Sequence, residues 1–253
     1  MDANSYEALQ RRRDAGVLAW SGPAIMLFAR SAFALLAQGV FAVIFALRSS
    51  VTPWHDSEAW LPIYGTLIDA GCLTMLWLFA RGENIGLWDL VGFDRSRIGR
   101  DVRIGFVLIP ASLVFIFGGV YSAGWIVYGT LTPPLVFGNL PLLASLYGVL
   151  VWPVIWGFTE QMTYNGYLLP RFQVLGRRTV VAVAIVAFAW SLQHSFMPMT
   201  FDPRFMLYRL LAAVPNTLFQ TILYLRLRRI IPFAIAHALM DSATVLVPLL
   251  FTS

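Results

Sequence analysis

Residues 104–159 read IGFVLIPASLVFIFGGVYSAGWIVYGTLTPPLVFGNLPLLASLYGVLVWPVIWGFT, 56 positions without one charged side chain. One membrane-crossing helix needs about 20 apolar residues, so this run is too long for one span and long enough for two. Gly129, Pro133 and Pro134 supply the break. Helices are therefore expected at about 105–128 and 137–160. Working outward by the same criterion, further spans fall at about 23–47, 61–80, 179–197, 207–225 and 231–251. The expected fold is all-α, a polytopic membrane helix bundle of about seven transmembrane helices, within a range of six to eight.

Composition agrees. Of 253 residues, 58% are hydrophobic and only 12% charged, against about 25% charged in an ordinary soluble domain. So few charges do not cover a soluble globule, and the 19 Phe, 9 Trp and 9 Tyr exclude a disordered chain. The net charge of +5 comes from arginine alone, since the chain has no lysine. Those arginines lie between apolar runs, which points to membrane topology and to no nucleic-acid partner. Cys72, the single cysteine, excludes a disulfide framework.

Fourteen of the 18 arginines fall in every second segment between spans, and so on one side of the membrane: Arg11–Arg13, the 81–103 interval, Arg171 with Arg177 and Arg178, and Arg226 with Arg228 and Arg229. The positive-inside rule then makes the N-terminus cytoplasmic and, with seven spans, the C-terminus external. The expected organisation is a cytoplasmic segment over 1–22 and a single multi-pass domain over 23–251 in the cell (inner) membrane. Its polar interval 81–103 forms a cytoplasmic amphipathic connector, either a surface helix or a loop. The bilayer is an expected partner; oligomeric state is not readable.

Ionisable residues inside apolar runs are costly to bury alone and therefore informative. Glu160 ends the uncharged run, with Gln161, Tyr164 and Asn165 on the same helical face. His194 follows FAWSLQ, and His237 and Asp241 stand four apart in AHALMD. This set reads as a buried polar network, a path for ions or protons, or a hydrolytic site with Glu160 as general base and the histidines holding water and an oxyanion. No cofactor is expected. A divalent metal such as Zn stays open, because Glu, two His and Asp are acceptable ligands, although there is no HExxH motif. Arg30 and Asp69 are expected to pair across two helices and Arg209 to snorkel to an interface. His55, in TPWHDSEAW, reads as a surface residue.

These segments resemble the CPBP family of intramembrane endopeptidases, also called the CAAX protease and bacteriocin-processing or Abi family, over about 155–245. Its first motif, paired glutamates followed by three residues, Arg and often Gly, is matched by Glu160-Gln161-Met162-Thr163-Tyr164-Asn165-Gly166. Its second, Phe followed by three residues and His, is matched by Trp190 to His194, and its third by His237 to Asp241. The resemblance implies an endopeptidase acting on a membrane-associated peptide or protein, with a site opening toward the cytosol. Glu160 would be the general base and His194 would hold the attacking water. His237 and Asp241 would form the oxyanion side, Asp241 either as a protonated donor or by orienting His237. Gln161, Tyr164, Asn165 and Trp190 would line the site. Gln161 and Asn165 depart from the family's Glu and Arg. Because they stand at i and i+4, they are expected to replace a charged pair by an amide pair. A catalytically inactive CPBP-like scaffold or partner-binding protein is the alternative.

Overall fold

The computed structural model describes residues 3–131 and 140–251, with side chains described up to Leu246. Twelve helices occur among the described residues. Helix α1 (Tyr6–Asp14) precedes α2 (Ser21–Leu47), α3 (Pro53–Glu58), α4 (Leu61–Gly82), α5 (Leu87–Val91) and α6 (Ile98–Tyr128). Then follow α7 (Leu142–Leu150), α8 (Trp152–Gln161), a π-helical segment (Met162–Leu168), α9 (Leu169–Gly176), α10 (Thr179–Gln193), α11 (Pro203–Leu227) and α12 (Ile231–Phe251).

Among the described residues, six stretches are long and apolar enough to cross a membrane: Ser21–Leu47, Leu61–Gly82, Leu87–Tyr128, Leu142–Gly176, Thr179–Phe196 and Pro203–Leu227. Helix α12, placed at the expected seventh span, contributes a shorter apolar stretch, Ile231–Leu246. The bundle presents large apolar side chains outward, among them Leu36, Val107, Leu143 and Val180, as a lipid-facing surface requires. Helix starts and stops follow local chemistry. Pro62 and Pro203 stand in first turns, where a missing N–H costs nothing, and Asp202 caps α11 by accepting from Arg204 N at 2.9 Å.

Boundaries differ from the sequence expectation in three places. The third span begins earlier, because α6 starts at Ile98 and carries Asp101 and Arg103 in its first turns. Residues 137–139, the expected start of the fourth span, lie outside the described residues, as do 132–134 of the expected break. The fourth helix does not stop near 160; it continues through the π-helical segment to Gly176. Pro170 follows the widened turns directly. It has no N–H to give the carbonyl four residues back, Gly166 O, and that oxygen instead accepts from Asn4 Nδ2 at 2.7 Å. Gly166 also lets α5 approach, since a Cβ there would stand 2.9 Å from Leu90 O.

The connector expected over 81–103 consists of the end of α4, the short α5, a 3-10 turn at Arg95–Arg97 and the start of α6. At this end of the bundle a set of charged side chains ties the helix ends together. Arg171 is buried within α9 rather than placed in a loop. It holds Glu83 through Nε and Nη2, both at 2.7 Å, and Asn4 Oδ1 at 3.1 Å. Arg229 pairs with Asp101, and Arg228 Nη2 reaches Gln173 Oε1 at 3.0 Å. The arginines counted from sequence on one side thus belong to helix ends that meet in space.

Candidate active site

Glu160 occupies the last turn of α8 and is 1% exposed. Its position beside α12 depends on Gly157, where a Cβ would stand 3.2 Å from His237 Cβ and 3.1 Å from Ala238 N. The close packing brings His237 Nε2 to 4.0 Å from Glu160 Oε1. On the same helix Asp241 Oδ2 lies 3.4 Å from His237 Nε2, so the i, i+4 pairing expected from sequence is present.

Two donors hold the Glu160 carboxylate. Arg30 Nη2 lies 3.4 Å from Oε2, and the Trp190 indole N–H donates to Oε1. Arg30 and Asp69 pair at 2.9 Å as expected, but Arg30 does more than join two helices. Wholly buried, it also donates through Nε to Gln193 Oε1 at 2.9 Å and stacks over Trp156 at 4.3 Å. Tyr164 OH donates to the same Gln193 oxygen at 3.1 Å, and its ring stacks on Trp190 at 5.2 Å. Tyr164 therefore supports the wall behind Glu160 without reaching the carboxylate.

The amide pair also forms. Asn165 Nδ2 donates to Gln161 Oε1 at 2.7 Å. Gln161 then directs its own NH2 at Gln220 Oε1 and at His237 Nδ1, the latter at 3.2 Å. A neutral imidazole has one N–H and one lone pair. An amide donor on Nδ1 assigns the lone pair there and the hydrogen to Nε2, which faces Glu160 and Asp241. His194 takes the opposite form. Its Nδ1 lies 2.9 Å from Trp190 O, and a carbonyl only accepts, so Nδ1 carries the hydrogen and Nε2 the lone pair.

Glu160, Trp190, His194, His237 and Asp241 line one cavity of about 260 Å³. Its remaining walls include Trp152, Trp156, Ile116, Val120 and Met240, with Arg209 and Asn216 as polar members. Arg209 donates to Met197 O at 3.2 Å and to His194 O at 3.4 Å, carbonyls just beyond the end of α10. His55 stands apart on α3, exposed and 3.2 Å from Glu58. No three of His, Cys, Asp and Glu form a metal-ligand set among the described residues.

Sequence reasoning missed the contacts of Arg30 with Glu160, and missed Gln193 and Gln220 altogether. Arg30 carried a signal, a charge inside an apolar run. The two glutamines carried none, because an uncharged amide in a long helix is unremarkable until its partners are known.

Residues 142–243 match a family described as Type II CAAX prenyl endopeptidase Rce1-like. That interval contains all three motifs and every residue proposed from them. No curated protein and no solved structure matches the chain.

Proposed function

Over residues 142–243 the chain belongs to the Rce1-like CAAX protease family of the CPBP clan, and from that premise we propose that it is an intramembrane endopeptidase in which Glu160 activates water. The observation that carries this reading is the pair of opposed histidine tautomers around one carboxylate. His194 Nε2 offers a lone pair to a water hydrogen, and His237 Nε2 offers a hydrogen to an oxygen.

In this mechanism Glu160 takes a proton from water as its oxygen adds to the scissile carbonyl carbon. His194 holds the water's second hydrogen. The carbonyl oxygen gains the electron pair of the C=O bond, and His237 Nε2–H stabilises that oxyanion. Asp241 orients His237 and needs no proton of its own for this role. When the tetrahedral intermediate collapses, the C–N bond breaks and protonated Glu160 returns its proton to the departing nitrogen. Arg30 and the Trp190 indole are positioning groups, since they hold the carboxylate rather than the reacting atoms.

The reading is tested by cleavage of membrane-presented peptides by purified protein. Glu160→Gln keeps the size and shape of the side chain but is no base, and it turns an amide NH2 toward one of the two donors that the carboxylate accepts from, so cleavage should fall by about 10²–10⁴-fold while the purified protein keeps its helical circular-dichroism spectrum. His237→Ala should lose activity similarly. Undiminished cleavage by Glu160→Gln would remove Glu160 from the role of base, and a partner-binding scaffold would show no cleavage that depends on either residue.

A further inference from the structure

Helix α11 gives the cavity one wall, made by Tyr208, Arg209, Ala212, Ala213, Asn216 and Thr217, spaced three and four apart as one face of a helix. The stretch around Asn216 is held on several sides. Thr217 Oγ1 and Ser191 Oγ share a hydrogen bond at 2.7 Å, Phe219 stacks on Phe115 at 4.3 Å, and Gln220 accepts from Gln161. Asn216 is the exception. It lines the cavity, its Oδ1 is buried without a donor, and its amide makes no hydrogen bond among the described residues.

A carboxamide carries an NH2 donor and a carbonyl acceptor, and burying either one unpaired is costly. Whichever way the amide is turned, Asn216 offers a donating and an accepting edge to an occupant of the cavity. Other polar groups of the wall are already engaged: Glu160 with Arg30 and Trp190, Thr244 with Met240 O, and Arg209 with two carbonyls.

The neighbours also fix its height along the bundle. Helix α6 runs beside both α11 and α12: Gly105 faces Ile235, Phe115 stacks on Phe219 and Gly119 faces Ala212. The two later helices therefore run in opposite senses. Gln161 touches both Gln220 and His237 Nδ1, so those residues stand level. Four residues back from Gln220 to Asn216, and four residues on from His237 to Asp241, are steps in the same direction, each about 6 Å. Asn216 thus stands about 6 Å along the bundle from the level of Glu160 and His237, a distance that an extended polypeptide covers in about two residues.

We propose that Asn216 is a substrate-binding residue whose amide donates to, and accepts from, the main chain of a bound polypeptide about two residues from the scissile bond. This assignment rests on the endopeptidase reading. Apolar walls attract a chain without fixing its register, because hydrophobic contact is non-directional. A two-edged hydrogen bond to the backbone fixes that register, and so decides which carbonyl is presented to Glu160 and His237, for peptides of differing side chains.

Backbone chemistry tests it. The probe is a library of synthetic apolar peptides in detergent micelles, cleaved by the purified full-length protein and read by mass spectrometry. The best-cleaved peptide is remade with each amide near the cut N-methylated in turn, which removes one main-chain N–H. One such group about two residues from the cut should lower kcat/KM of the parent by about 5–30-fold, the effect of a hydrogen bond lost with its partner left unpaired. Asn216→Ala should lower kcat/KM for the unmodified peptide by a similar factor, and the same N-methyl group should then have little further effect. Equal slowing by N-methylation in the parent and in Asn216→Ala overturns the assignment, as does unchanged kcat/KM of Asn216→Ala on the unmodified peptide. If the parent cleaves none of the library, the endopeptidase reading fails, and binding of the same peptides, fluorescently labelled, decides the role of Asn216. Weaker binding by Asn216→Ala than by the parent upholds it, and equal binding overturns it.

Discussion

Asn165 donates its side-chain amide to Gln161 at 2.7 Å, one helical turn back, and this bond leaves the Gln161 NH2 free to face His237 Nδ1 and Gln220. All three hydrogen bonds follow from one orientation of the Gln161 amide. A carboxylate in its place accepts only and would face the Gln220 oxygen with no cation at position 165. Gln161→Glu should therefore destabilise the protein by about 1–3 kcal/mol, read as a lowered unfolding temperature in detergent. Adding Asn165→Arg should recover most of the loss. Equal stability of the single variant and the parent would refute the amide-network assignment. Nitrogen NMR of histidine-labelled protein gives a second readout: His237 should carry its hydrogen on Nε2 in the parent and on Nδ1 in Gln161→Glu.

Trp190 stands where the family pattern has phenylalanine, and its indole N–H reaches Glu160. Trp190→Phe keeps an aromatic ring against Tyr164 and removes only the donor. A hydrogen bond to a charged group contributes about 1.5–3 kcal/mol, so kcat should drop by roughly 10–100-fold, with modest change in melting. An unchanged kcat would show that the indole serves packing alone.

Arg30 neutralises two buried carboxylates on different helices, Asp69 and Glu160. Arg30→Met leaves both without their cation, a change worth about 3–5 kcal/mol when a buried pair is broken from one side. Asp69→Leu combined with Arg30→Met should be less damaged than the sum of the two single variants. Simple additivity in that double-mutant cycle would exclude direct coupling.

At the arginine-rich end, Asn4 joins α1 to Gly166 O and to Arg171. Asn4→Ala should loosen α1 while leaving the spans folded. Hydrogen exchange over residues 3–15 should accelerate and limited proteolysis near Gly16 should increase, both against an unchanged pattern in α10–α12. Parent-like protection of α1 would mean that its apolar contacts through Leu9, Leu18 and Val174 suffice.

Most of the membrane architecture was legible because lipid imposes a local rule: a crossing helix must be apolar for its whole length. The rule was weaker at interfaces, where α6 continues into charged residues, and silent about the fourth helix, whose course beyond Glu160 depends on Gly166, Pro170 and a distant Asn4. Pairs four residues apart, Gln161 with Asn165 and His237 with Asp241, were legible for the same reason of locality.

What the sequence alone determined, then, was a membrane helix bundle, one arginine-rich face and the identity of the polar residues that lipid could not accept singly. The tertiary structure decided which of them meet. Arg30 and Glu160 are 130 positions apart, and Gln161 and Gln220 are 59 apart, so no helical periodicity relates them. Which side chains wall the cavity likewise follows from how five or more helices fill space together, a property that no single helix carries in its sequence.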